Sequence, residues 1–411
     1  MVRKAFLVLV FLLLAAALAF PKEKLVIAGR DGGYGAALQI AVDLFVERNP
    51  GVEIELLKLP YKGLYEKLVI DLSAGGGAYD IVMLDDPWAT EFMSLGWLQS
   101  LEELGYTPDP DFVPTALSVC RYPYPDGTLY ALPHVGNVEL FAYRKDLFEK
   151  YGLASPPKTW ADVLEAAAVI SANEPGVYGV VFRGRKGNPI VTGFLPILWG
   201  FGADIVKDGE VVLNSKEAVA ALKFFLLLKQ YAPEGVEIWN SSEVKEALLA
   251  GDAAIAIEVW PAWVPDLDNP EKSKVVGKVE IAPAPGLVEK SSPMLGAWLL
   301  GIPSASRNKE LALKFLKFVT SAEIQKVLTL KAGHAPTRVS VLTDPEVVAK
   351  YRWFPNQLAA LQSAVPRPRV LVWSEIEGIL GEYLQLALIG ELSPEKALSE
   401  AAGRIAEVLG G

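Results

Sequence analysis

Two histidines and one cysteine are all that this 411-residue chain contains of those residue types, and their scarcity removes whole classes of chemistry. Cys120 alone can form neither an intramolecular disulfide nor a cysteine-based zinc site. His134 and His334 leave almost no room for imidazole catalysis, and we assign all three residues structural roles. No metal or other cofactor is expected. Positive charge is also short, with 39 Lys and Arg against 49 Asp and Glu for a formal net charge of -10. That sign is wrong for nucleic acid, whose phosphates call for a basic face. The one clustered basic run, Arg183, Arg185 and Lys186, is too short for that task. The motifs G-x-S-x-G, H-E-x-x-H, G-x-x-x-x-G-K-[ST] and G-x-G-x-x-G are missing. Gly32, Gly33 and Gly35 come nearest to a phosphate loop, but no lysine accompanies them and Asp31 places negative charge where an anion would sit. Asp266-Leu267-Asp268-Asn269 resembles the start of a calcium loop, yet Pro270 follows and the required Gly and Glu are misplaced, so it reads as a turn.

What the chain has instead is apolar and aromatic: 51% hydrophobic residues, with 10 Trp, 14 Tyr and 16 Phe. Its length suits two domains and allows about three quarters of the unfolded surface to be buried. Met1 to Ala19 combines Arg3 and Lys4, an unbroken apolar run from Ala5 to Leu18, and Ala17-Leu18-Ala19 before Phe20. A basic start, a short apolar core and a small-x-small end make a secretory signal peptide, residues 1–19. No cysteine follows to carry a lipid anchor. The mature protein is therefore expected to be periplasmic or secreted and to rest on core packing without disulfides.

Strands and helices alternate after that segment. Leu25 to Ala28 is a short apolar run of the kind buried on both faces of a sheet. Leu38, Ala41, Val42 and Phe45 give a helical stripe stopped by Asn49-Pro50-Gly51, and Val52, Ile54 and Leu56 alternate with glutamates as in an edge strand. A helix over Leu64 to Leu72 and an apolar strand over Asp80 to Leu84 complete a parallel α/β unit. Ligands bind beyond the carboxyl ends of such strands. Those ends carry Arg30, Asp31, Gly32, Gly33 and Tyr34 after the first strand, and Asp85, Asp86, Pro87 and Trp88 after the third. A second α/β pattern follows. It comprises a Thr159-capped helix to Asn173, a strand over Gly179 to Phe182, helices over Ser215 to Tyr231 and Ser242 to Ala250, and a strand over Ala253 to Val259. Helices over Lys309 to Thr320 and Ala322 to Leu330, with a long C-terminal pair, close the chain. Carboxylates near strand ends, including Glu139 and Glu258, leave glycoside hydrolysis open, since a sequence cannot give their separation.

Eight ordered motifs resemble the carbohydrate-binding family of extracellular solute-binding proteins of ABC importers, which includes maltose- and trehalose-binding proteins. They include FVERNPGVEIE (45–55), DIVMLDDPWATEFMSLGWLQSL (80–101) and DGTLYALPHVGNVELFAYRKDLFEKYGLASPPKTW (126–160). Leu249 to Trp260, Gly296-Ala297-Trp298, Pro303 to Glu323, GHAPTR (333–338) and Val365-Pro366-Arg367-Pro368 follow. The resemblance spans essentially the whole mature chain. It implies a type II periplasmic binding protein fold: two α/β lobes, each a mixed and mainly parallel sheet flanked by helices, closing on ligand in the cleft between them. The expected N-terminal lobe is residues 20–133 plus 281–330, and the C-terminal lobe 134–280 plus 331–411.

The resemblance also implies a ligand site drawn from Asp31, Asp85, Asp86, Trp88, Asn137, Trp260, Gly296, Trp298 and Arg367. Fixed polar groups hold sugar hydroxyls, and indoles present flat area to the C–H face of a ring. Relatives carry a carboxylate near Asn137, so Asn137 and Glu139 compete for the crossover position, as Trp260 and Trp263 compete for the stacking position. Tyr34, Tyr61, Thr192 and Arg338 are minor candidates, while Trp199 and Trp373 suit the core. The implied function is capture of a carbohydrate, with an α-linked di- or short oligosaccharide favoured, and its delivery to membrane permease subunits. A monomer without catalytic residues is expected. A polyamine or phosphodiester receptor of the same fold, or a secreted glycosidase, are the alternatives.

Overall fold

A computed structural model describes residues 23–287 and 291–410 of the chain. The signal peptide expected over residues 1–19 lies outside the described residues.

The chain enters the first lobe through β1 (Glu23–Arg30), α1 (Gly32–Arg48), β2 (Val52–Leu59), α2 (Tyr61–Ser73), β3 (Ile81–Asp85) and α3 (Asp86–Ser94). The strands β4 (Ala131–Val135) and β8 (Trp298–Gly301) complete a five-stranded sheet in the order β2-β1-β3-β8-β4. As the apolar run implied, Leu25, Ile27 and Ala28 in β1 are fully buried, while β2 alternates at the edge. β1 pairs in parallel with β2 and β3, and β8 runs antiparallel between β3 and β4. The antiparallel ladder sets Trp298 opposite Asp85, which brings two candidate residues to one end of the sheet.

In the second lobe, β5 (Leu140–Arg144) is flanked by β6 (Ile255–Val259) and β7 (Val279–Ala282). Here the pairing differs from a mainly parallel sheet, because both ladders are antiparallel. The reason is topological for β7: β5 carries the chain into this lobe and β7 carries it back, so neighbours crossing in opposite senses must run antiparallel. Parallel pairing survives as bridges from Tyr178 to Ala253 and Val181 to Ala256. The strand expected over Gly179 to Phe182 is reduced to these bridges because the Val180 N–H donates to the Tyr231 carbonyl (3.2 Å), breaking the ladder.

Helices cover this lobe: α4 (Trp160–Asn173), α5 (Asn188–Gly200), α6 (Lys216–Leu228) and α7 (Ser241–Ala250). Thr159 and Asp162 form the capping box that their spacing implied, and Ser215 caps α6. Such a cap stabilises a helix by about 1 kcal/mol. The sequence reading missed α5. Its segment NPIVTGFLPILWG is apolar almost throughout and contains Pro196, so no stripe distinguishes its faces. After β8 come α8 (Lys309–Val319) and α9 (Ala322–Ala332), then three short helices between Val339 and Ser363 that were not foreseen. The expected C-terminal pair follows as α10 (Trp373–Leu388) and α11 (Pro394–Gly410).

Two apolar cores result. Phe45, Phe92 and Phe315 belong to the first, and Phe182, Phe194, Phe225 and Trp373 to the second. Burying one such side chain is worth about 1.5–3 kcal/mol. Cys120 is buried and unpaired, so no disulfide holds the described residues together. The break expected between Glu280 and Ile281 falls inside β7, which pairs with β5 through Ala282. We therefore propose moving that lobe boundary beyond Ala282.

Candidate functional site

A cavity of about 770 Å³ lies between the carboxyl end of the first sheet and the α5 face of the second lobe. Asp85, Asn137, Trp260, Gly296, Trp298 and Arg367, six of the nine candidates, line it.

Asp85 ends β3 in extended geometry and its carboxylate accepts the Asp86 N–H, capping α3. It also accepts from Tyr61 Oη (2.8 Å) and Arg367 Nη2 (3.0 Å). Arg367 reaches Asp86 as well (2.7 Å) and lies 3.9 Å from Glu377. Burial opposes the charge on Arg367, but Asp85 and Asp86 outweigh it and hold the guanidinium well above its usual range. Burial and the neighbouring Asp85 push the Tyr61 phenol well up, which keeps it a donor.

The other three candidates stand apart from the cavity lining. Asp86 is fully buried behind Asp85, its carboxylate taken up by Arg367 and Arg369. Trp88 is 4% exposed and packs on Tyr61 and Tyr65 with ring centroids 4.8 and 5.1 Å apart. It backs Trp298, whose ring lies 5.7 Å away, in place of facing the cavity itself. Asp31 precedes α1 and pairs with Arg30, which takes its place in the lining.

On the opposite side the half-buried Trp260 presents its ring to the cavity, with the Arg183 guanidinium 5.5 Å from its centroid. A Cβ on Gly296 would lie 2.8 Å from the Trp260 ring and 3.3 Å from Asn137 Nδ2, so only glycine lets the indole rest against the backbone just before β8. Trp263 lines the cavity too, although it is 8% exposed. The Gly296 N–H donates to the Asn137 carbonyl (3.0 Å), fixing the crossover backbone. Asn137 Oδ1 is buried with no protein partner among the described residues, which leaves it open to a hydroxyl donor.

Glu139, two residues further on, is buried outside the lining, with both carboxylate oxygens unpartnered. Burial first, and then Glu258, drive its carboxyl well up, favouring the neutral acid. Glu258 itself pairs with Arg183 and accepts from Thr192 Oγ1 (3.2 Å). Gly193 makes room for it, since a Cβ there would come within 2.7 Å of Glu258 Oε2.

Sequence reasoning passed over Lys62, Arg183, Arg185, Lys186, Asn188 and Asn240, all of which line the cavity, as does Arg30 from the end of the first strand. The basic run was visible and was tested only as a nucleic-acid patch; its position just before Asn188-Pro189, a helix start, was the signal that could have placed it. Tyr34, Tyr61 and Thr192 also line the cavity, whereas Arg338 does not. Its guanidinium donates to the Thr320 carbonyl (2.8 Å) and pairs with Asp109.

The family model described as bacterial extracellular solute-binding protein matches residues 30–326. Among similar proteins is a probable amino-acid ABC transporter periplasmic-binding protein of Sinorhizobium fredii, 28% identical over 86% of this chain and 82% of its own length. Another is the mannitol-binding protein of Pseudomonas aeruginosa, 29% identical over 95% of both chains. The solved structure of maltose-bound MalE3 of T. maritima superposes with a TM-score of 0.84 at 31% identity, covering 94% of this chain and 99% of that one. No helix among the described residues is long and apolar enough to cross a membrane.

Proposed function

The chain belongs to the bacterial extracellular solute-binding proteins, and on that premise we propose that it is a periplasmic receptor that takes up a carbohydrate or sugar alcohol by lobe closure and presents it to an ABC permease. Members of this family bind solutes for transporters and do not turn them over. Secretion through the 1–19 signal peptide and a monomeric state belong to the same proposal.

One observation carries the sugar reading: indoles from two lobes, Trp298 and Trp260, face one cavity together with Asp85, Asn137 and Arg367. Flat apolar area beside fixed donors and acceptors is what a ring or polyol chain of alternating C–H and O–H groups requires. Two stacking faces favour a ligand of two rings, an α-linked disaccharide or short oligosaccharide. The names of similar proteins, one for mannitol and one solved with maltose, agree with the broader class.

Thermal melts with maltose, trehalose, mannitol and ribitol, alongside glutamate and leucine, test the reading. A cognate ligand at 100 times its Kd stabilises by about 2.7 kcal/mol, and the shift is expected with one of the first four. A shift with an amino acid and none with any carbohydrate or polyol would overturn it. Small-angle scattering should then register a smaller radius of gyration with the ligand bound.

A further inference from the structure

The cavity reverses the charge balance of the chain. Six of its twenty lining residues are cationic, Arg30, Lys62, Arg183, Arg185, Lys186 and Arg367, and one, Asp85, is a carboxylate. A cavity that sampled the whole chain would hold about two of each sign. Three of the cations are compensated: Arg367 by Asp85 and Asp86, Arg183 by Glu258, and Arg30 by Asp31. The other three are not. Arg185 has no carboxylate within 4.0 Å among the described residues, and Lys62 and Lys186 meet Glu66 and Glu382 only at 3.6 Å, in exposed pairs that contribute little.

These three cations come from both sides of the cleft. Lys62 opens α2 in the first lobe, while Arg185 and Lys186 precede α5 in the second. Closing the lobes on a neutral ligand would bring like charges together as water is withdrawn, which weakens closure. A negative group between them turns that repulsion into attraction. The positive end of the α5 dipole adds to the field, since Asn188 and Pro189 in its first turn also line the cavity. An unpaired guanidinium is suited to the two oxygens of a carboxylate or phosphate.

Resting on the receptor reading above, we propose that the ligand is an anionic carbohydrate or polyol, one carrying a carboxylate or phosphate ester, with the hydroxylated body at Trp260 and Trp298 and the negative group at Lys62, Arg185 and Lys186. In a protein of net charge -10, such a local positive field also steers an anion into the cleft.

Calorimetric titration of matched probes tests this: maltose against its uronate counterpart, and mannitol against mannitol 1-phosphate, each at 50 and 300 mM NaCl. The acidic member of at least one pair should bind tenfold or more tighter at low salt, with the preference shrinking at high salt. The pair that responds tells carboxylate from phosphate. In R185Q/K186Q, and separately in K62Q, the acidic-to-neutral affinity ratio should fall at least fivefold, and thermal melts of the free variants establish that they are folded. Equal or tighter binding of the neutral members would overturn the inference while leaving the receptor reading intact, as would a preference that survives both variants. Failure of all four probes and of the neutral panel would remove the receptor reading and the inference together.

Discussion

The two walls of the cleft are built on different terms. On the first-lobe side the buried polar groups already have partners, with only the exposed Lys62 left open: Asp85 holds Tyr61, Arg367 and a helix N-terminus, and Trp298 leans on Tyr34, Tyr61 and Trp88. On the second-lobe side Trp260 is half exposed and Arg185 has no ion partner among the described residues. The first wall is a framework completed by its own chain, and the second is left for a ligand to complete. Substitutions in the first should therefore be felt in stability, and those in the second in affinity.

The largest test is Arg367→Met. It strands Asp85 without its cation and leaves Asp86 with Arg369 alone, and removing one partner of a buried ion cluster destabilises by about 3–5 kcal/mol. Denaturant midpoints measure this. If Arg185→Met loses as much stability, the contrast between the walls fails.

Acid titration comes next. Burial lowers His334 from 6.5 to about 4, although the hydrogen bond to the His134 carbonyl opposes the shift, and burial together with the neighbouring His334 holds His134 well below the usual imidazole range. Their folded forms bind fewer protons than the unfolded chain below pH 6.5. The stability they protect is complete above about pH 6.5 and is lost as pH falls toward 4, by roughly 3 kcal/mol for His334. Glu139 has the opposite sign: its raised carboxyl favours the fold below the ordinary glutamate range, and this contribution fades as pH rises through it. Urea melts from pH 4.5 to 8 should give an acid limb that flattens in His334→Gln, and an unchanged slope in that variant would refute the assignment.

Trp260→Ala should cost about 2 kcal/mol of binding, roughly thirtyfold in Kd, with little change in melting temperature. Calorimetry with whichever carbohydrate stabilises the wild type would check it, and a large fall in melting temperature would place Trp260 with the framework. Asn137→Ala should have the smallest effect, about 1 kcal/mol or fivefold in Kd, because it removes one neutral hydrogen bond.

The sequence disclosed the parts of this molecule that obey a local rule. Buried and edge strands, the Thr159 capping box and the carboxylates at strand ends were all legible from periodicity and capping chemistry. The resemblance added Asn137, Trp260, Gly296, Trp298 and Arg367, which the fold brings to one cavity. What stayed hidden depends on tertiary competition. Asp86 was read as a site residue because it adjoins a buried strand end, yet α3 turns it inward to Arg367 and Arg369. Trp88 lies two residues further along α3 and is spent backing Trp298. Arg185 and Lys186 were missed because the apolar helix that follows them has no periodic pattern, which left its Asn188-Pro189 start as the sign of their place.

The crossings between lobes have one more consequence. The chain passes from the first sheet to the second between β4 and β5, returns between β7 and β8, and leaves again between α9, packed on α1, and α10, packed on α5. A single cut in the middle passage, between β7 and β8, leaves two fragments that each own portions of both lobes. Neither fragment can depart without tearing two cores at once. The protein should thus tolerate a nick at that passage as a split receptor does, its pieces remaining interlocked and finding one another again after dilution from denaturant.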